Sequence, residues 1–92
     1  MRALDENQRG VFTHSVVVAE VQTSVFRFQG VGRTQEEALE ALRAGWDAHV
    51  RQQTVDGYGP DPDLMRTRIA QGDFVLTTLR TGQAYRDGEL LA

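Results

Sequence analysis

The chain has 92 residues, room for one small domain, and carries thirteen acids against ten bases for a formal net charge of −3. It has no cysteine, and all ten bases are arginine. This excludes disulfides, thiolate metal sites and cysteine nucleophiles, and it argues against a nucleic-acid coat protein, which relies on a basic footprint. No apolar run approaches the roughly 18–20 residues that span a bilayer. Residues 1–6 carry neither the apolar stretch nor the cleavage site of a signal peptide, so a soluble cytoplasmic protein is expected.

Residues 1–10 are polar and read as a flexible end. Residues 11–21 turn β-branched and predict a first strand. Side chains alternate sides along a strand, so the run Val16-Val17-Val18 puts apolar groups on both faces. Such a strand should be covered on both faces, so a partner or a second copy of the chain is expected over the face that the helices leave, with Val16, Val17 and Val18 as the candidate dimer-face residues. Residues 22–24 predict a turn, and residues 25–31 a second strand with Phe26 and Phe28 on one side, Arg27 and Gln29 on the other. Together they make an antiparallel hairpin.

Thr34-Gln35-Glu36-Glu37 fits a capping box, in which the threonine accepts from the Glu37 amide and the Glu37 carboxylate reaches back to Thr34. The helix is expected over about residues 35–52, with Leu39, Leu42, Trp46 and His49/Val50 as its buried stripe. Ala38, Ala41 and Gly45 form a strip of small residues suited to close approach to the sheet. Residues 54–60 satisfy the turn rules. Asp61 as N-cap and Pro62 at the first helical position open a shorter helix, buried through Leu64, Met65 and Ile69 and stopped by Gly72. Residues 73–79 predict a third strand, and residues 80–92 an edge strand or a tail. The expected architecture is a single α+β domain over residues 1–92. It is a two-layer sandwich in the order β-β-α-α-β, with helices on one face of a small antiparallel sheet.

Chemistry-bearing residues are few. Gly30-Val31-Gly32 precedes a helix N-terminus, but a dinucleotide fingerprint needs glycine where Gln35 stands, so a tight strand-to-helix turn is the better reading. His14 and His49 are the only histidines; a packed or partly exposed role outweighs catalysis or metal binding for both. Asp56, Asp61 and Asp63 lack the spacing of a calcium loop, and capping accounts for two of them. Arg66, Arg68, Arg80 and Arg86 gather in the last third as a basic patch, the basis of an alternative reading as a small nucleic-acid-associated protein. Neither serine, Ser15 or Ser24, lies in a nucleophile elbow. Neither a catalytic residue, a metal site nor a cofactor is expected.

Residues 34–41, Thr-Gln-Glu-Glu-Ala-Leu-Glu-Ala, resemble the T-x-E-E-A-L segment that opens the main helix of HicB-like antitoxins and their stand-alone relatives. The likeness continues through His49-Val50, Asp56-Gly57, Pro60 and Pro62, and covers about residues 14–79. Where that family carries P-D-L-P-G, this chain has residues 28–32, Phe-Gln-Gly-Val-Gly, and too few residues follow Leu79 for a DNA-binding module. The resemblance implies a non-enzymatic, dimerising protein-binding domain that inhibits a small basic ribonuclease toxin. Glu36, Glu37 and Glu40 are the candidate contacts with such a basic partner.

Overall fold

Alternation of side chains along the first strand divides the molecule into two layers. The structure, a computed structural model, describes residues 14–91; the polar segment 1–10 and the start of the first predicted strand lie outside these. Within them run β1 (Ser15–Gln22), β2 (Arg27–Gly32), α1 (Gln35–Gln53), α2 (Leu64–Ala70), β3 (Val75–Arg80), β4 (Tyr85–Arg86) and β5 (Glu89–Leu90). The first three strands form one sheet in the order β2-β1-β3, antiparallel throughout. Val17, Ala19 and Val21 of the central strand meet Leu39, Leu42 and Trp46 of α1 and Met65 of α2, and among the described residues no charged or polar one is buried with them. This is the two-layer α+β arrangement that the sequence predicts.

The first hairpin turns one step later than its composition suggests. Thr23 Oγ1 accepts from the amides of Val25 (3.3 Å) and Phe26 (2.9 Å), and the Thr23 amide donates to the Phe26 carbonyl at 2.8 Å. Val25 and Phe26 thus belong to the turn and are exposed, and β2 begins at Arg27. A threonine hydroxyl competing for local amides outweighs the strand preference of valine and phenylalanine here.

Helix α1 starts as its capping box requires, with Thr34 Oγ1 accepting from the Glu37 amide at 3.1 Å. The return bond differs by one residue: Glu37 Oε1 accepts from the Arg33 amide at 2.6 Å. The helix is pressed onto β2 by two glycines. A Cβ on Gly30 would meet the Ala38 carbonyl oxygen and, at 2.7 Å, the Leu42 amide nitrogen. One on Gly32 would lie 2.6 Å from the Ala38 amide nitrogen. Close approach is therefore arranged by the strand and by Ala38. Gly45, assigned to the same strip from its spacing, instead faces outward with nothing within 4 Å of a Cβ. Gly45→Ala is accordingly expected to stabilise the domain by about 0.5–1 kcal/mol through helix propensity, read as a raised urea midpoint at unchanged slope.

Helix α2 begins two residues later than expected. Asp61 Oδ1 accepts from the Asp63 amide at 2.9 Å, an Asx turn that leaves Asp63 as the N-cap. Its end follows expectation: Gly72 has φ +74°, its amide donates to the Ile69 carbonyl at 3.0 Å, and the Asp73 amide donates to the Arg68 carbonyl at 2.9 Å. These two bonds are a Schellman motif.

Two Asp-Gly pairs build tight reversals. Asp56 (φ 52°) and Gly57 (φ 80°) join the paired residues Val55 and Tyr58, and Asp87 (φ 52°) and Gly88 (φ 83°) join β4 to β5. Both central residues take positive φ, as a type I′ turn demands. Residues 80–92 were expected to add an edge strand or trail as a tail; instead β4 and β5 form a separate two-stranded sheet.

Candidate binding groove on the open sheet face

The second face of the sheet is the one the helices leave uncovered. Strand register places its side chains in rows: Val31, Val18 and Thr77 side by side, then Gln29, Glu20 and Val75, with Val16 beside Leu79 at the far end. The β4–β5 hairpin folds over this face, its Gly88 lying against the Thr77 side chain. Tyr85 fixes the hairpin by accepting from the Arg80 amide at 2.9 Å. Floor and hairpin enclose a groove of about 440 Å³, within the ordinary range of ligand-binding clefts.

The groove is mixed in chemistry. Val31 and Val75, in adjacent rows on the two outer strands, are 55% and 63% exposed, so apolar groups on both sides of the groove floor are presented to solvent. Beside them, Glu20 Oε1 accepts from Gln29 Nε2 at 2.9 Å and lies 3.9 Å from Arg27 Nε. Asp87 adds a carboxylate from the hairpin side. Such a surface can hold an amphipathic segment, apolar on one side and hydrogen-bonding or basic on the other.

Of the valines assigned to a covered face, Val16 and Val18 lie on this open face and Val17 does not. Val17 packs against the helix-side core, because consecutive strand residues point to opposite sides.

The three candidate glutamates are all exposed near the start of α1. Glu37 is engaged in the cap, and Glu40 Oε2 lies 3.4 Å from Arg43 Nη1. Glu36 stands out into solvent in the first turn.

The arginines of the last third do not gather into a patch. Arg66 pairs with Asp47 through two hydrogen bonds of 3.3 and 3.1 Å, and this carboxylate raises the guanidinium pKa further above its already high value. Arg68 pairs with Asp73 and donates to the Gln22 carbonyl at 3.0 Å. Arg80 stands opposite Ser15 at the other end of the central strand, seven residues from Gln22, or about 23 Å along a strand. Arg86 sits in the separate hairpin. The sequence clustered residues that the fold sends to a helix, to the end of β3 and to a separate hairpin.

The histidines are similarly apart. His14 lies at the start of β1, where its carbonyl accepts from the Thr81 amide at 2.9 Å. With Ser15, Val16 and Arg33 it borders a second hollow of about 470 Å³. His49 is in an aromatic cluster at the opposite end, its ring 5.0 Å from Phe28, 5.1 Å from Trp46 and 5.7 Å from Phe26. Trp46 Nε1 donates to the Asp61 carbonyl at 2.9 Å, tying the helix to the loop. Asp61 caps a turn, and Asp56 forms a reversal. Among the described residues no three His, Cys, Asp or Glu side chains are placed to hold a metal ion, and no helix is long and apolar enough to cross a membrane.

The groove itself escaped sequence reading because its wall comes from residues 85–88. One signal was available: Asp87-Gly88, flanked by Tyr85 and Leu90, has the form of a two-residue hairpin. Comparison with protein-family models, with curated proteins and with solved structures gives no match.

Proposed function

We propose that the chain is a non-enzymatic protein-binding domain of HicB-like kind, working in the cytoplasm as an antitoxin-like inhibitor of a small basic ribonuclease. The observation that carries this reading is the groove on the open sheet face, where exposed Val31 and Val75 lie beside Glu20, with Asp87 on the hairpin wall. Exposed apolar groups framed by polar ones are the anatomy of a protein-recognition surface. The net charge of −3 suits a basic partner, since complementary charge accelerates encounter and disfavours wrong partners. The resemblance of residues 34–41 to the HicB-like helix start points the same way. Glu36, on the helix rather than in the groove, supplies further negative charge toward such a partner.

The test is affinity capture from the native host with wild type and with Val31→Arg. The substituted side chain is exposed, so the fold should tolerate it. Wild type is expected to retain a small basic protein whose RNA cleavage it suppresses. Val31→Arg is expected to weaken that binding at least tenfold, which corresponds to about 1.4 kcal/mol. Equal binding by the two proteins would move the site off the groove. A captured partner without ribonuclease activity would refute the antitoxin-like part of the reading.

A further inference from the structure

The sheet has two edges, and they are not equivalent. Hydrogen-bonded and non-hydrogen-bonded pairs alternate along an antiparallel ladder. The Thr81 amide donates to the His14 carbonyl, so the hydrogen-bonded pairs of β1 with β3 are Val16–Leu79, Val18–Thr77 and Glu20–Val75. The main-chain groups of Leu76, Thr78 and Arg80 therefore point away from β1, along the outer edge. Arg80 is already satisfied there: its amide donates to Tyr85 Oη and its carbonyl accepts from the Gln83 amide at 3.3 Å. Leu76 and Thr78 keep two N–H and two C=O groups facing outward.

The surroundings of this edge favour pairing. Residues 75–79, Val-Leu-Thr-Thr-Leu, carry no charge and no proline, the devices that ordinarily blunt an edge strand. The helical layer rests on β2 and β1, and Leu76 on the helix side of β3 is 40% exposed. The β2 edge is different. A second copy added there would bring two α1 helices over strands about 4.8 Å apart, whereas packed helices need about 8–10 Å between axes.

We propose that a second copy of this chain pairs antiparallel with β3 about a two-fold axis at Thr77, giving a continuous six-stranded sheet in the order β2-β1-β3-β3-β1-β2. The register is dictated by the edge. It sets Leu76 against Thr78 of the second copy in both directions, so that the two residues exchange four main-chain hydrogen bonds. The same register puts Val75 opposite Leu79 and Thr77 opposite Thr77 on the groove side, pairing apolar with apolar and hydroxyl with hydroxyl. A strand that complements itself in both hydrogen bonding and side chains selects its own copy over an unrelated segment. The proposal goes beyond the groove reading and is independent of it, since Val31 lies two strands away.

The experiment is light scattering at micromolar concentration on wild type, Thr78→Pro and Val31→Arg, with oxidative cross-linking of Thr77→Cys and Val18→Cys. The chain has no native cysteine to confuse the cross-link. Wild type and Val31→Arg are expected at the dimer mass. Thr78→Pro, which removes an edge N–H that β1 does not use, is expected at the monomer mass with an unchanged circular dichroism spectrum. Thr77→Cys, at a non-hydrogen-bonded pair on the axis where Cα atoms approach to about 4.5 Å, should cross-link to a covalent dimer and Val18→Cys should not. A monomeric wild type overturns the proposal, as does a Thr78→Pro dimer. Cross-linking through Val18→Cys alone would overturn it in favour of a face-to-face dimer.

Discussion

Gly30→Ala is expected to destabilise the domain by about 3 kcal/mol or more, at or beyond the upper end of what overpacking usually costs. Two opposing terms decide the sign. Alanine reduces the entropy of the unfolded chain and gains about 0.4–1 kcal/mol where the native conformation accepts it. Against that, the new methyl group would collide with the Ala38 carbonyl and the Leu42 amide, both main-chain atoms inside a helix. Neither can rotate away as a side-chain tip would. Relief requires lifting α1 from β2, which opens the packing of Leu39, Leu42 and Phe28 together. For a domain of this size the loss corresponds to roughly 12–24 °C in melting temperature. Thermal melts of Gly30→Ala beside Gly45→Ala make the comparison sharp: one chemical change, opposite signs, decided by what each Cβ meets. A Gly30→Ala protein melting with wild type would show that the helix does not seat on the strand at this point.

Trp46→Ala is expected to cost about 3–5 kcal/mol, the usual range for emptying a large aromatic site. Against a total stability of about 5–15 kcal/mol for a small domain, that is a large share. The ring is 3% exposed and lies edge-on to Phe28 at a centroid distance of 5.2 Å, and its N–H holds the Asp61 carbonyl. Trp46→Phe separates the contributions: it retains most of the buried ring and loses the hydrogen bond, for about 1 kcal/mol from that bond plus a smaller packing loss. Urea unfolding followed by circular dichroism measures both variants. In wild type the same transition can be followed by fluorescence, because Trp46 is the only tryptophan. A near-native midpoint for Trp46→Ala would place the ring outside the core.

The groove and the edge that carry the functional proposals were legible only in part. Val16 and Val18 announced an apolar second face, since a strand of consecutive valines cannot hide them all on one side. Parity assigns Val17 to the opposite side with Ala19 and Val21, while Glu20 and Gln22 share the side of Val16 and Val18 and mark it as the one the helices leave. The structure agrees, with Ala19 and Val21 buried. Arg66 and Arg68 looked like partners of Arg80 and Arg86 because all four lie within twenty-one residues of chain. Nearness along a chain says little once a strand carries its ends about 20 Å apart. The nearby carboxylates of Asp47 and Asp73, distant or unremarkable in sequence, are what the first two arginines meet.

What could be read without coordinates was local. The capping threonine, the Leu39–Leu42–Trp46 stripe, the stop at Gly72 and the alternation of β1 each depend on residues a few positions apart, where chain geometry alone sets the neighbours. The order of strands, the use of Gly30 and Gly32 rather than Gly45 as the seat of the helix, and the hairpin folded over the open face depend on contacts between distant segments. Spacing cannot specify those, because a small residue has the same signature whether it faces a neighbouring backbone or water. The same holds for β3: its uncharged sequence was plain, but that it forms an edge, with Leu76 and Thr78 turned outward, follows only from where β1 lies and which of its pairs share hydrogen bonds.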